Sequence, residues 1–201
     1  MGARIILINN NIMENLILSY YYMLIGTAEA RICRDIRSYT GNDARDYYPY
    51  IPSNEGHIVD LWKEVRKIKN KEKKKFIDIG CGYPAIPLLM RGLGFNAYGL
   101  ELSKEIYFIS SAYCGKYGNV SMINENILNI KELEHDVIYM YNPIANPLIM
   151  IDGIKVVVKA MKPGAILLFA CANVTVADYL EADLNAVKVK RGYNLFKYIK
   201  K

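Results

Sequence analysis

Cysteine and histidine are sparse in this 201-residue chain, and neither has the spacing that a metal site or a disulfide framework requires. The four cysteines, Cys33, Cys81, Cys114 and Cys171, are scattered without a Cys-x-x-Cys pair, and there are only two histidines. This pattern argues against a zinc site and against a small disulfide-bonded secreted domain. We therefore expect no metal and no covalent chemistry on cysteine, and a reducing cytoplasm fits best.

Basic residues are absent from positions 12–30, which are rich in apolar side chains, so a membrane segment has to be considered. Polar residues interrupt the run, and apolar or aromatic residues recur at helical spacing on one stripe, Ile12, Leu16, Tyr20 and Met23. The pattern predicts a soluble helix packed on the rest of the protein and no membrane span. No basic segment followed by a small-residue cleavage site indicates a secretion signal.

The composition is that of a globular protein, with 52% hydrophobic and 23% charged residues. Much of the net charge of +6 lies between Lys63 and Lys75, where apolar residues at helical spacing predict an amphipathic helix with a charged outer face. A solvated face is the favoured interpretation. An acidic partner is the alternative there and at the second basic cluster, Lys188–Lys201.

A glycine turn is the most informative motif of the chain. Asp78-Ile-Gly-Cys-Gly82 follows an apolar strand pattern, and Glu101 ends a second strand about 20 residues later. Together they are the fingerprint of a fold that binds an adenosine cofactor. The glycines let the backbone approach the ligand without a Cβ, and the acid is expected to accept hydrogen bonds from the ribose hydroxyls.

Proline in this motif narrows the choice of cofactor. Pro84 stands where a dinucleotide site has its third glycine, and it has no N–H to offer to a pyrophosphate at the start of the helix. S-adenosylmethionine has no phosphate, so its binding is weakened less when proline replaces glycine and this N–H is missing. The sequence therefore favours S-adenosylmethionine over a dinucleotide.

Strand and helix patterns alternate from residue 76 onward, which predicts a mostly parallel sheet with helices on both faces. A final hairpin, Ala186–Lys190 with Asn194–Ile199, would insert one antiparallel strand. The other strands are expected at Phe76–Ile79, Ala97–Glu101, Val120–Ile123, Asp136–Tyr141 and Ala165–Ala170. The predicted class is an α/β, Rossmann-like, seven-stranded sheet with an antiparallel C-terminal hairpin.

The motif and this strand order resemble class I S-adenosylmethionine-dependent methyltransferases. The resemblance implies an N-terminal helical extension over residues 1–55, packed on a methyltransferase domain over residues 56–201. It also implies that the opening acid, Asp78, lies near the methionine end of the cofactor and that Asn126 meets the adenine amino group. The full set of implied cofactor-binding residues is Asp78, Gly80, Cys81, Gly82, Glu101, Leu102, Asn126 and Ile127.

Two further segments bear on the substrate. Tyr141-Asn-Pro-Ile144 partly resembles the Asn-Pro-Pro-Tyr motif of amino-group methyltransferases, which implies that Asn142 and Tyr141 are catalytic and hold an amine. Pro49 to Glu101, with Tyr50 near the predicted site, is similar to small protein-lysine methyltransferases of archaea and mitochondria.

The predicted function is methyl transfer to an amine, with a protein lysine as the leading substrate. RNA or DNA methylation is the first alternative, supported by the basic clusters. Aminopropyl transfer, as in nicotianamine synthases, is the second, because those enzymes also place prolines after the glycine turn, as Pro84 and Pro87 do here. A non-catalytic cofactor-binding module is the third.

Overall fold

The computed structural model describes residues 12–26, 53–117, 120–170, 173–189 and 195–201. The strands in these residues are β1 (Lys75–Ile79), β2 (Asn96–Glu101), β3 (Ser121–Asn124), β4 (Val137–Tyr141), β5 (Ile166–Ala170), β6 (Val187–Lys188) and β7 (Leu195–Ile199). The α-helices are α1 (residues 12–26), α2 (Glu55–Val65), α3 (Ala85–Gly92), α4 (Lys104–Tyr117), α5 (Pro147–Ala160) and α6 (Val174–Ala182). Short 3₁₀ helices cover Lys71–Lys73 and Ile127–Asn129.

The seven strands form one sheet in the order β3-β2-β1-β4-β5-β7-β6. Strands β1 to β5 run parallel, and β7 inserts antiparallel between β5 and β6. This confirms the predicted fold class, including the antiparallel C-terminal hairpin. The turn of that hairpin lies outside the described residues. The strand order reverses between β1 and β4, and the carboxyl ends of parallel strands beside such a reversal form the usual ligand crevice.

Asparagine and serine side chains start the helices. Asn54, Asn146 and Asn173 accept hydrogen bonds from backbone N–H groups in the first turns of α2, α5 and α6. Ser103 does the same for α4, with its Oγ 3.4 Å from the N–H of Ile106. These caps satisfy donors that have no intrahelical partner. They place the starts of α4, α5 and α6 directly after the carboxyl ends of β2, β4 and β5.

Buried side chains cover both faces of the sheet. One face packs against α1, α2 and α3, and the other against α5 and α6. The sheet therefore separates two hydrophobic clusters, one on each of its faces. The apolar stripe of α2 points inward, since Ile58, Leu61, Trp62 and Val65 are all buried. The helix ends at Val65, however, so most of the charged stretch Lys63–Lys75 follows the helix and does not form its outer face as predicted.

Helix α1 buries a different stripe from the one that its sequence suggested. The stripe beginning at Ile12 and Leu16 is exposed, and the helix instead packs Ile17, Tyr21 and the Leu24–Ile25 pair against the core. Both stripes are apolar, so periodicity could not choose between them. Over the described residues, no helix combines the length and the apolar character needed to cross a membrane.

The third strand is shifted by one residue from its predicted position, and β6 has only two residues. The segment Pro49 to Pro52, with Tyr50, lies outside the described residues. Ser53 is the first residue after this gap that the structure describes.

Candidate functional site

The glycine turn after β1 opens at the carboxyl edge of the sheet, the edge where β1 to β5 end. Gly80 and Gly82 have φ values of +74° and +55°, a region that favours glycine. The N–H groups of Gly80 and Cys81 both donate to the carbonyl oxygen of Leu100, at 2.8 and 3.0 Å. The turn is therefore tied to β2, and both glycines are needed for its backbone shape.

Glu101 holds the same turn through its side chain. Its carboxylate accepts hydrogen bonds from the N–H of Gly82 at 2.9 Å and from the N–H of Ser103 at 2.8 Å. The side chain is buried, which raises its pKa, while these backbone hydrogen bonds act in the opposite direction. A carboxylate has about four acceptor sites, so Glu101 retains capacity for a hydroxyl donor such as a ribose.

Asp78 lies beside Glu101 at the end of β1, and only 4% of it is exposed. Burial, and secondly the negative charge of Glu101, raise its pKa well above the ordinary value of 3.8. Two buried acids side by side are unfavourable unless a positive group or hydrogen-bond donors offset them. The pair is therefore suited to a cationic ligand and poorly suited to a phosphate.

The Asp78→Asn variant should melt at a higher temperature than the wild type near neutral pH when no cofactor is present. A raised pKa in the folded state means that stability is lost as pH rises from the unfolded value of 3.8 towards the folded value. An amide does not titrate, so it removes this loss. Differential scanning fluorimetry from pH 4 to 8 measures the effect. A lower melting temperature at pH 7 would contradict it.

Cys81 contributes to the turn through its backbone. Its buried thiol lies against Gly99, where an added Cβ would come within 2.8 Å of the sulfur. Burial raises the pKa of the thiol well above its ordinary value, so the group is a neutral packing element. Sequence reasoning placed Cys81 in the cofactor site, which stays a prediction, and in the structure its side chain packs against Gly99 of β2.

Two residues that were not predicted hold the site's backbone, Ser110 at the glycine turn and Asn124 at the end of β2. Ser110 of α4 donates from its hydroxyl to the carbonyl oxygen of Gly82 at 3.0 Å. Asn124 donates from its amide to the carbonyl oxygens of Glu101 and Leu102 at 2.8 and 2.9 Å. Nothing in the sequence distinguishes Ser110 from other helix serines, whereas Asn124 ends β3 two residues before Asn126, which was predicted.

The start of α3 lacks the donors that a pyrophosphate needs. Pro84 precedes the helix and has no N–H, and the N–H of Ala85 is 2.8 Å from the carbonyl oxygen of Tyr83. A helix start normally offers several such groups to an anion. Together with the two buried acids, this start disfavours a dinucleotide.

After β3, Asn126 caps the short 3₁₀ helix. Its side-chain oxygen accepts from the N–H of Leu128 at 2.9 Å, the local turn role that asparagine often has. The oxygen retains a second lone pair, and its contact with adenine stays a prediction. Ile127 is buried against α5, while Leu102 and Leu128 are each more than a third exposed at the carboxyl edge.

The loop after β4 brings the predicted catalytic residues to the glycine turn. Asn142 has a φ of +42°, which asparagine tolerates better than most residues. Pro143 lies against Gly80, since a Cβ added to that glycine would be 2.3 Å from the Cβ of Pro143. In the described structure, the side-chain oxygen of Asn142 is buried without a hydrogen-bond partner. A buried acceptor at this position is available to an N–H donor of a bound molecule.

An aromatic wall stands beside Asn142. The ring of Tyr141 contacts the ring of His57 from α2, with centroids 4.9 Å apart. Deeper in the core, the hydroxyl of Tyr21 donates to the carbonyl oxygen of Ser53, whose own hydroxyl is 3.4 Å from that of Tyr139. Helices that precede the sheet in the chain therefore reach the end of β4, and the sequence offered no signal for His57.

The rim of the crevice is nearly free of positive charge. We define the rim as the described segments that follow β1 to β5, which are residues 80–87, 102–108, 124–130, 142–149 and 173–178. It contains one basic residue, Lys104, and three acids, Glu105, Glu125 and Asp178. Exposed apolar side chains stand on it at Leu102, Leu128, Leu148 and Val174. The rim is therefore apolar and slightly acidic. The described residues contain no group of three His, Cys, Asp or Glu side chains that could hold a metal ion.

At the sequence level, no family model and no curated protein matches the chain. Its fold is similar to solved methyltransferases. An RNA methyltransferase from Salinibacter ruber, solved with S-adenosyl-L-homocysteine, has a TM-score of 0.57 and 15% identity and covers 75% of this chain and 94% of its own. The ribosomal protein L11 methylase from Lactobacillus delbrueckii subsp. bulgaricus has a TM-score of 0.59 and 14% identity and covers 74% and 81%.

A third structure is the 16S rRNA N2 G1207 methyltransferase of T. thermophilus, solved with AdoMet and guanosine. Its TM-score is 0.61 at 13% identity, and the match covers 77% of this chain and 45% of that enzyme. This chain therefore has the fold of class I S-adenosylmethionine-dependent methyltransferases. Identities this low establish the fold and leave the activity to be argued from the site.

Proposed function

We propose that this protein transfers a methyl group from S-adenosylmethionine to an amine, and that the amine is a lysine side chain of a protein. The observation that carries the proposal is the buried, unpartnered side-chain oxygen of Asn142 beside the glycine turn. Support for the cofactor comes from the fold, from the paired acids and from the helix start without pyrophosphate donors. Two of the similar structures, solved with this cofactor or its product, share that fold.

The donor set matches the chemical groups of the cofactor. Asp78 and Glu101 offer negative charge and acceptors to its ammonium and its ribose hydroxyls, and Gly80 and Gly82 leave room for it above the turn. Leu102 and Ile127 are apolar residues at the positions where the adenine is expected. When bound, the cofactor supplies a methyl group on a positive sulfur, which is already a good leaving group. The protein then has to orient the acceptor.

Asn142 is suited to orient an amine. Its side-chain oxygen accepts an N–H, which turns the nitrogen lone pair in a defined direction. Tyr141 and His57 form an aromatic wall beside it. A wall of this kind would shield a bound amine from water and lower the pKa of the amine, so that it reacts in its neutral form. The acidic rim attracts the positively charged lysine before it enters. These features favour a lysine side chain over a nucleic-acid base, whose phosphates the rim would repel.

The first test is a calorimetric titration with S-adenosylmethionine and with adenosylhomocysteine, followed by methyl transfer to cell extract. Label in a protease-sensitive, nuclease-resistant fraction supports the proposal, and nuclease-sensitive label favours the nucleic-acid alternative. Product analysis separates the chemistry, since adenosylhomocysteine marks methyl transfer and methylthioadenosine marks aminopropyl transfer. If neither ligand binds, the proposed cofactor is refuted.

Replacing Asn142 with glycine should reduce turnover by about ten- to hundredfold, the range expected when about 1–3 kcal/mol of hydrogen bonding is lost. Glycine accepts the positive φ of this position, so the amide is removed without backbone strain. Cofactor affinity should change by less than about threefold, because Asn142 contacts the acceptor in this proposal. Steady-state kinetics and titration measure the two quantities separately.

Asn142→Asp is the matched control, because it keeps an oxygen acceptor at the same position. It should retain more activity than Asn142→Gly. Equal turnover of the glycine variant and the wild type would remove Asn142 from the catalytic site.

A further inference from the structure

Basic side chains gather at the amino edge of the sheet, opposite the rim. We define the basic face as four described segments at this edge, which are residues 66–75, 131–136, 159–164 and 200–201. Contacts join them into one surface. Asp136 pairs with both Lys74 and Lys162, each at 3.1 Å, and the N–H of Gly164 donates to the carbonyl oxygen of Lys200 at 2.9 Å.

The net positive charge of this face exceeds the net charge of the whole chain. Its segments contain twelve Lys and Arg residues and four acids, a net charge of +8, while the entire chain carries +6. The remaining residues are therefore slightly negative in total. Among the residues that the structure describes, the excess of basic over acidic side chains is concentrated at this edge.

Internal ion pairs leave much of this charge available. Asp136 is shared by two lysines, and Glu134 pairs with Lys75 at 3.3 Å. In the described part of the chain, no ion pair engages Lys69, Lys71 or Lys73. A groove of about 540 Å³ opens between these segments. Three lysines, Lys73, Lys75 and Lys162, and three acids, Glu132, Glu134 and Asp136, line it, so the excess positive charge lies on the surface around the groove.

The composition of the face matches phosphate better than protein. Protein interfaces are enriched in aromatic residues and depleted in lysine. Here lysine dominates, and none of the large exposed apolar side chains of the described residues lies within these segments. Aromatic platforms, which stack on the bases of single strands, are also absent from these described segments. Contact with the backbone of a duplex needs only positive charge.

The face is too far from the rim to act on the molecule that binds there. β1 has five residues and therefore separates the two edges by roughly 16 Å. The Debye length at physiological ionic strength is about 8 Å, so the rim receives little of this positive potential. Lysines this far from the rim are suited to a second contact, separate from the one that the methyl acceptor makes at the rim.

We propose that the basic face binds the phosphate backbone of a nucleic-acid duplex, as a docking surface separate from the methyl-transfer site. This goes beyond the proposed function and does not depend on it. A duplex docked here would hold the enzyme near a partner that contains nucleic acid, while the rim receives the methyl acceptor.

The test is fluorescence anisotropy with a labelled 20-base-pair RNA duplex, with a DNA duplex of the same length in parallel, at several salt concentrations. Wild-type protein should bind, and its affinity should fall steeply with salt. The variant Lys69→Glu/Lys71→Glu/Lys73→Glu should lose about hundredfold or more in affinity at 0.1 M salt, because each phosphate contact contributes a slope of about 0.9. Comparison of the two duplexes shows which nucleic acid is preferred.

A second variant, Lys104→Glu/Lys155→Glu/Lys188→Glu, changes the net charge equally but lies outside the basic face. It should retain affinity within about fivefold. Equal losses in the two variants would reduce the effect to net charge and overturn the proposal, as would absence of binding at 50 mM salt. Poly-glutamate competing as well as the duplex would assign the face to an acidic protein. Both variants are also titrated with S-adenosylmethionine. The result shows whether a loss of duplex binding occurs without a loss of cofactor binding, so the docking proposal is tested apart from the proposed activity.

Discussion

Glu101→Ala is expected to bind S-adenosylmethionine about tenfold to several hundredfold more weakly than the wild type and to unfold at a lower temperature. The carboxylate accepts hydrogen bonds from the N–H groups of Gly82 and Ser103. Each buried donor left without an acceptor costs about 1–3 kcal/mol. The loss therefore falls on the shape of the glycine turn as well as on the expected ribose contact. Calorimetric titration and thermal melting measure the two effects.

Glu105→Ala is the matched control for this experiment. Glu105 is an exposed acid in the first turn of α4, so its removal changes the net charge equally and leaves the turn intact. Its affinity for the cofactor should stay within about twofold of the wild type. If folded Glu101→Ala binds as tightly as this control, Glu101 has no part in the cofactor site.

Gly80→Ala is expected to show the second large effect, with a melting temperature lowered by about 6–12 °C, equivalent to about 3 kcal/mol in a chain of this length. A Cβ at this position would lie 2.3 Å from the Cβ of Pro143, and the φ of +74° is itself unfavourable for alanine. The loop after β4 must move away, and Asn142 moves with it. Turnover should therefore fall by at least about tenfold.

Gly164→Ala is the control that separates the backbone strain of a positive φ from the steric collision expected in Gly80→Ala. Gly164 has a similar φ of +78°, but a Cβ there would meet no heavy atom within 4 Å. Its melting temperature should fall by only about 2–8 °C, from the 1–2 kcal/mol of backbone strain. Parallel melting curves compare the two variants. Equal losses would mean that Pro143 yields easily and that the loop is not fixed by the glycine turn.

The two opposite edges of the sheet differ in charge and are suited to different ligands. The rim, with one basic residue and three acids, suits a cationic acceptor, while the basic face carries the charge that a phosphate backbone would contact. The proposed activity and the proposed docking surface can therefore fail independently. Methyl transfer without duplex binding, or duplex binding without methyl transfer, would each retain one proposal and reject the other.

Local patterns in the sequence were sufficient for the fold. Gly80 and Gly82 marked a turn that needs positive φ, and Glu101 stood at the spacing of a second parallel strand. The unbroken apolar run Ala165–Ala170 is typical of a strand buried on both faces, and it corresponds to β5. Each of these signals is carried by residues within one strand and its turn, so no distant contact was needed to recognise it.

Other parts of the site could not be predicted because they depend on contacts between distant segments. His57 contacts Tyr141 across 84 positions in the chain, and Ser110 supports Gly82 from the middle of a helix. The buried face of α1 was also undetermined, since its two apolar stripes are equivalent in sequence. Packing against the sheet selected the stripe that begins at Ile17.

By itself, the sequence determined the mostly parallel sheet with its antiparallel hairpin, the glycine turn, the acid at the end of β2 and the concentration of lysine before β1. These follow from backbone preference, hydrophobic periodicity and charge, which act over a few neighbouring residues. Only the tertiary structure decided that Pro143 lies on Gly80, that the oxygen of Asn142 is buried without a partner, and that twelve basic residues with only four acids gather opposite the rim. The reason is physical: burial and collision depend on how strands far apart in the chain pack side by side.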